Sequence, residues 1–272
     1  MIRATTRIAE VHDIVAIQEA HGTMLDAREF EATHQDLLMF FSEGTNPNSG
    51  GCGIIVTRSF AAHFSDIMFQ VIVPGRVVAI LCSGSQGAIR IFSVHLVPAW
   101  TDAFKKKTIK DIVAAAAPEP NLINIVSGDF NSIRPGEARL HPRSMDRSYP
   151  HDPFSDWLED KFGHFIELHQ EDFTRCGWQA EQISVLSRID RIYADLPTIE
   201  AMDRRVAVRT IGQFASKYHL SDHLPVSATI FAPATSPPPA RLSPNGFTPT
   251  PIFSSSPRRP WTPCPPRSRT PS

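Results

Sequence analysis

At 272 residues, with 42% apolar side chains and a net charge of −1, the chain is long enough for one large domain or two small ones, and its composition is that of a globular protein. No apolar run reaches the roughly 18–20 residues of a membrane span. The opening Met1-Ile2-Arg3 stretch lacks the apolar core of a secretory leader, so an intracellular protein, nuclear or cytoplasmic, is expected.

In chain order, a helix is predicted over 2–11. It leads into a strand over 13–18 whose apolar run ends in Gln18-Glu19. A helix is expected over 26–40, followed by strands over 53–58, 67–73 and 76–82, the last two joined by a hairpin turn at Gly75-Arg76. The strand predicted over 89–97 carries His95 inside Ile91–Val97, where a hydrogen-bonded core histidine is the ordinary reading. A helix over 101–117 is capped by Thr101 or Asp102 and ended by Pro118. The apolar run from Leu122 forms a strand over 122–127 and delivers Gly128-Asp129-Phe130-Asn131 at its end. A helix over 152–161 and strands over 164–168, 187–194 and 205–210 follow. Ser221-Asp222-His223 stands directly before a final strand over 224–231. Many hairpin-joined strands with few helices predict an α/β domain of two mainly antiparallel sheets packed face to face, with helices outside. Strand ends from both sheets then converge at one rim.

Beyond residue 231 the character changes. Residues 233–272 hold 13 of the 24 prolines, five arginines and no acid. Such a segment has little to bury and is expected to be a disordered tail over 232–272, set apart from a domain over 1–231. The tail carries +5, so the domain carries −6 and is not built to coat a polyanion wholesale. Cys52, Cys82, Cys176 and Cys264 form no Cys-x-x-Cys pair, which predicts free thiols rather than disulfides or structural zinc.

Each motif alone is weak. Asp129-x-Asn131 after a strand is usually a turn whose side chains cap local backbone, and Asp222-His223 is usually a capped loop. Together, acids, an amide and a histidine at the ends of several apolar strands are what a metal-assisted phosphate site requires. The ordered set resembles the endonuclease/exonuclease/phosphatase superfamily of metal-dependent phosphoesterases. The resemblance runs through Ile17-Gln18-Glu19, Gly53–Arg58, Gly75-Arg76-Val77-Val78, Val94-His95-Leu96, Gly128-Asp129-Phe130-Asn131, Arg188–Tyr193 and Ser221–Val226.

The resemblance implies a four-layer sandwich and a set of roles. Glu19 matches a ligand of catalytic Mg²⁺, for which Mn²⁺ substitutes, and Asp222 matches an acid near the metal. Asp129 and Asn131 match the pair beside the scissile phosphate, with Asp129 aligning or deprotonating the attacking water. His223 matches the histidine that contacts the phosphate, and Asp190 the acid that orients it. His95 matches a position that is His in deoxyribonuclease-like members and Tyr in abasic-site endonucleases. The family pattern also includes a leading strand bearing an asparagine, which this sequence lacks. The expectation is a domain short of its first strand, by truncation or decay, and less stable and less active for it.

Three functions compete: a nuclease on DNA or RNA of the kind carried by retroelements, a phosphatase or phosphodiesterase on a small phosphorylated lipid, inositol or nucleotide, and an inactive remnant that only binds. Arg134, Arg139, Arg143 and Arg147 offer a possible phosphate-backbone contact, though a solvated loop fits them equally well. Oligomeric state is not readable.

Overall fold

The computed structural model describes residues 6, 8–46, 49–85, 87–134, 137–140, 152–179, 182–201, 205–211 and 221–231. The proline-rich tail, Arg143, Arg147 and most of the first predicted helix lie outside the described residues, although a helical turn is present at Thr6 and Ile8–Ala9.

The central layer is a six-stranded sheet in the order β4-β5-β6-β7-β12-β9. Its strands are β4 (Asp66–Val73), β5 (Val77–Gly84), β6 (Gly87–His95), β7 (Leu122–Asp129), β9 (Ile166–Glu167) and β12 (Asp190–Ala194). Only β6 and β7 run parallel. The expected hairpin at Gly75-Arg76 joins β4 to β5, and Gly75 adopts φ 65° there. A side chain on Gly75 would collide with the backbone of Gly44, its Cβ lying 2.5 Å from that Cα.

Two small sheets cover one face of this layer. The first runs β1-β3-β2, from β1 (Ile14–Ile17), β2 (Leu37–Ser42) and β3 (Cys52–Thr57). The second pairs β13 (Arg205–Thr210) with β14 (Val226–Phe231). Ile54, Val56, Val78, Ile80 and Ile91 bury the seam under the first sheet; Ile123, Ile192 and Ala194 pack with Val206, Val226 and Ile230 under the second. Ile89 and Ile125 contribute to both clusters, so the two small sheets lie on the same face. Among the described residues, the edge of β1 away from β3 and the edge of β14 away from β13 carry no strand partner. His12 approaches Ser227 of β14 at 2.8 Å.

Helices complete the outer layers. The first, α1 (Met24–Thr33), closes a capping box between Thr23 and Asp26 and packs Phe30 against Leu37 and Ile55. A single turn, α2 (Arg58–Ala61), follows β3. On the far face of the central sheet, α3 (Asp102–Ala115) and α4 (Pro153–Lys161) cover Phe92, Val94, Val126 and Tyr193 with Ile109, Ile112, Phe154 and Leu158. Thr101 caps α3 through the Phe104 amide. Asp152 caps α4, with Pro153 at its start, where a missing N–H costs nothing. Near the central sheet's end, α5 (Leu196–Ala201) buries Ile199. The result is the four-layer α/β sandwich the pattern predicted.

The structure corrects three sequence expectations. The helix expected over 26–40 stops at Thr33, and Leu37–Ser42 is a strand. Its near-continuous apolar run fits a strand buried between α1 and the core, and pairing with β3 overrides helical periodicity. The strand expected over 187–194 is two strands, β11 (Gln182–Ser187) and β12, broken at Arg188-Ile189. A third small sheet, β10-β11-β8, was not expected; it contains β8 (Ala138–Leu140) and β10 (Arg175–Gln179).

Candidate active site

The ends of β6, β7 and β12 lie side by side. His95 is in register with Asp129, and Asp129 with Asp190. Paired residues share a face, so these three side chains form one row across the rim of the sheet at the usual strand spacing of roughly 4.8 Å. Gly128 allows β7 to pass this close. Its φ is 149°, and a Cβ there would sit 1.9 Å from the Val94 carbonyl oxygen.

Asp129 is 7% exposed, and both its oxygens are engaged by Asn131. The Asn131 backbone N–H donates to Oδ1 at 2.8 Å, and its side-chain amide donates to Oδ2 at 2.7 Å and to the Leu96 carbonyl at 2.9 Å. Asn131 holds φ 44°, a conformation asparagine tolerates better than most residues. Burial, and then the nearby Asp190 charge, push the Asp129 carboxyl up to about 7, against the pull of His223. An acid so poised accepts a proton near neutral pH.

His223 reaches the row from the second small sheet. Its Nδ1 donates to Asp190 at 2.9 and 3.1 Å. Burial alone would lower this imidazole, but Asp190 above all, with Asp129 and Asp222, raises it to about 9, so it is an imidazolium at neutral pH. The mount is a backbone weave. Thr174 Oγ1 accepts the amides of Ile189 and Asp190 at 3.1 Å each, Leu224 N–H donates to the Thr174 carbonyl, and Cys176 N–H donates to the Asp222 carbonyl.

His95 has the opposite character. It is 2% exposed, and Arg76 Nη1 donates to its Nδ1 at 2.8 Å. An arginine only donates, so Nδ1 accepts and Nε2 carries the ring proton. Burial above all lowers it to about 4, with Glu19 and Asp190 opposing and Arg76 and His223 adding to the fall. The neutral ring's Nε2 lies 3.5 Å from Glu19 Oε1, a polar contact rather than an ion pair.

Glu19 follows β1 in a turn with φ 49°, held by Ala20 and His21 amides donating to the carbonyls of Gly51 and Gly50. Its side chain is 55% exposed beside His95. Asp222 sits outside the row: Arg175 Nε donates to its Oδ2 at 3.1 Å, and its Oδ1 is 4.0 Å from His223 Nε2. Among the described residues, no three His, Cys, Asp or Glu side chains form a metal cage. A Mg²⁺ ion does not need one; it keeps several waters and takes one or two carboxylates plus a substrate phosphate. The exposed oxygens of Glu19 fit that role. Asp222 has one oxygen already engaged by Arg175.

Below the row lies a buried charge network that sequence reasoning missed. Arg188 pairs with Glu137 and Glu167, and Arg191 pairs with the same two acids while donating to the carbonyls of Ser132 and Arg188. Burial would raise the Glu137 carboxyl, but the two guanidiniums hold it at about 2. Arg134 joins inward, to Glu167 at 2.6 Å and Glu159 at 2.5 Å, so it is not extended toward a nucleic-acid backbone. The network clamps the chain just after Asn131. Arg76 and Thr174 were missed too. The one available signal was position, since Arg76 and His95 flank the facing ends of paired strands β5 and β6.

Comparison with known proteins shows the family and the fold. A model of the Endonuclease/Exonuclease/phosphatase family matches residues 2–223. The endonuclease domain of TRAS1, a telomere-specific non-LTR retrotransposon, superposes with a TM-score of 0.57 at 16% identity, covering 85% of this chain and 90% of that one. The 3′ phosphatase NExo from Neisseria, bound to a product DNA hairpin, gives 0.62 at 16% identity, covering 84% and 93%. An AP endonuclease from Archaeoglobus fulgidus gives 0.62 at 15%, covering 83% and 91%. Among curated proteins, none matches the chain. At these identities the solved structures establish the shared fold, and the family match, which spans most of the chain, establishes membership: this chain belongs to the Endonuclease/Exonuclease/phosphatase family.

Proposed function

We propose that the chain is a metal-dependent phosphodiester hydrolase acting on nucleic acid. The observation that carries this reading is the row His95–Asp129–Asp190, joined by a charged His223 and flanked by an exposed Glu19. One buried acid poised near neutrality, one fixed imidazolium and one exposed carboxylate are complementary demands of phosphoryl hydrolysis.

Glu19 is assigned to hold the metal. Bound there, Mg²⁺, or Mn²⁺ in its place, supplies divalent charge against the phosphate anion. His223, oriented through Nδ1 by Asp190, turns Nε2–H toward a non-bridging phosphate oxygen and steadies the charge that builds as water attacks. Asp129 takes the proton of that water as the P–O bond to the leaving strand breaks, and the leaving oxygen takes a proton from solvent. Asn131 holds the Asp129 carboxylate in one orientation, and the neutral His95 offers Nε2–H as a second donor. Asp222 tunes the site from outside through Arg175 and His223. A polynucleotide substrate is favoured because the structural neighbours include a retrotransposon endonuclease domain, an AP endonuclease and a DNA-bound 3′ phosphatase.

The test is nicking of supercoiled plasmid by the full chain with Mg²⁺, with Mn²⁺ and with excess chelator. Cleavage that requires the metal and disappears in Asp129→Asn supports the reading. Hydrolysis undiminished by chelator, or equally fast in Asp129→Asn, overturns it.

A further inference from the structure

Arg175 occupies an unusual position on the rim. Its neighbours Thr174 and Cys176 are buried at 0% and 2% exposure, while its own side chain is 43% exposed. Its backbone bridges to His223, and the flanking bonds from Leu224 and Cys176 fix it against the segment carrying that histidine. The guanidinium is therefore presented from rigid backbone rather than from a loose loop.

Its hydrogen bonding is lopsided. Nε donates to Asp222 Oδ2 at 3.1 Å, while among the described residues its two Nη groups have no recorded partner. In the buried network, by contrast, Arg191 uses both ends of its fork, Nη1 and Nη2 donating to the two oxygens of Glu137. Here a single bond to a half-exposed acid aims the guanidinium and leaves the fork open. An exposed pair of this kind contributes little to stability, so holding the fold together is a weak account of it. Asp222 also stands 4.0 Å from His223 Nε2, the ring nitrogen not used by Asp190. The open fork thus lies one carboxylate away from the N–H assigned to the scissile phosphate.

We propose that Arg175 is a substrate-binding residue that grips the phosphate adjacent to the scissile one, so that the site favours polynucleotide strands over small phosphoesters. The proposal rests on the hydrolase reading above and narrows its substrate. A small diester offers one phosphate, which His223 takes, and has nothing for Arg175. A strand offers a second phosphate, and the Arg175 fork matches its paired oxygens.

Two measurements test it on the full-length chain. The first is binding of a fluorescein-labelled single-stranded DNA oligonucleotide, followed by anisotropy in chelator across a salt series. Arg175→Gln should bind about tenfold more weakly, the loss of one charge-assisted contact. Its slope of log affinity against log salt should be shallower by about one, while Arg175→Lys keeps the slope. The second is Mg²⁺-dependent hydrolysis of the same DNA and of bis(p-nitrophenyl) phosphate. The loss of kcat/KM in Arg175→Gln should be at least about tenfold larger on DNA. Unchanged affinity and slope overturn the proposal, and so do equal losses on both substrates, which would place Arg175 at the scissile group or in the fold. If the wild-type chain hydrolyses neither substrate, the hydrolase reading fails while the binding series still decides the role of Arg175. Melting curves separate misfolding from lost contact, and should Arg175→Gln melt early, Arg175→Lys against wild type on the two substrates decides.

Discussion

Two histidines stand on either side of one acid row and carry opposite charge. His223 is clamped by Asp190 and raised to about 9; His95 is capped by Arg76 and lowered to about 4. Both are buried enough to lose solvation, so burial pushes both toward neutrality. The partners at Nδ1 differ: a carboxylate accepts a hydrogen bond from the ring N–H and offsets burial, whereas a guanidinium donates to the ring's lone pair and adds to what burial already does. One site thereby has a charged donor for an anion and, beside Glu19, a neutral donor, without two cations repelling each other.

The sharpest way to break this contrast is to remove each ring. His223→Gln should lower kcat about 10²–10³-fold, the loss of a preorganised charged donor. His95→Gln should cost about tenfold or less, because glutamine still donates a neutral N–H. Equal losses in plasmid nicking would show that the charge difference does not matter to catalysis.

A smaller effect is expected from Asp190→Asn. His223 would lose its largest raising influence, and the falling limb of the rate–pH profile should move from about 9 toward or below 6.5. At pH 8 that removes most of the imidazolium, for about a tenfold or larger loss that recovers on acidification. A loss that is flat with pH would mean that Asp190 acts by position alone.

The wild-type profile itself is the next test. With Asp129 raised to about 7 and required as the base, the rate should climb through 7; with His223 required as the cation, it should fall through 9. His95, at about 4, should leave no inflection in that range. In chelator, stability should follow the same groups. The folded state binds the His223 proton more tightly than the unfolded chain does, so that contribution is complete below pH 6.5 and lost as pH rises through 9. Asp129, raised above its ordinary 3.8, makes folding progressively less favourable between pH 4 and 7. The lowered His95 works the other way between about pH 4 and 6.5 and opposes Asp129 there, so melting temperature should decline chiefly from about pH 6.5 to 9, and a maximum near pH 8 would contradict the Asp129 and His223 assignments.

Arg76→Met carries the smallest effect. It frees Nδ1 of His95 and should change kcat only a few-fold, while shifting the His95 ring nitrogens in an NMR spectrum as both tautomers become populated. An unchanged spectrum would show that Glu19 or packing, rather than Arg76, selects the tautomer.

Much of this was legible in the chain because apolar runs mark strand ends. Ile14–Ile17 and Leu122–Val126 each stop within three residues of a site residue, so Glu19 and Asp129 are marked by position, whereas His95 lies inside Ile91–Val97 and is marked by the family resemblance alone. Strand register was not legible, and register is what sets His95, Asp129 and Asp190 in one row. The β10–β11 hairpin was invisible because Arg175–Gln179 and Gln182–Ser187 mix polar and apolar residues without clean alternation. With it went Thr174 and Arg175. Asp222 reads as a metal-side acid from its motif, and only the cross-strand arrival of Arg175 shows where its carboxylate is engaged. Leu37–Ser42 misled because a continuous apolar run does not distinguish a buried strand from a buried helix.

The two unpartnered strand edges give the site an uneven mechanical footing. Asp129 and Asp190 stand on β7 and β12, interior strands of the six-stranded sheet with neighbours on both sides. Among the described residues, Glu19 hangs from β1, which is hydrogen-bonded to a strand on one side only, whereas His223, ahead of β14, is also tied to the Thr174–Cys176 backbone. Segments held by fewer backbone bonds open at lower free energy than the core, so β1 and β14 should take up deuterium well ahead of β6 and β7. Glu19 can then leave while Asp129, Asp190 and the His223 segment stay in place. The chain can thus lose its chemistry in steps too small to register as unfolding, and an inactive preparation with an intact melting curve is an expected state of this molecule.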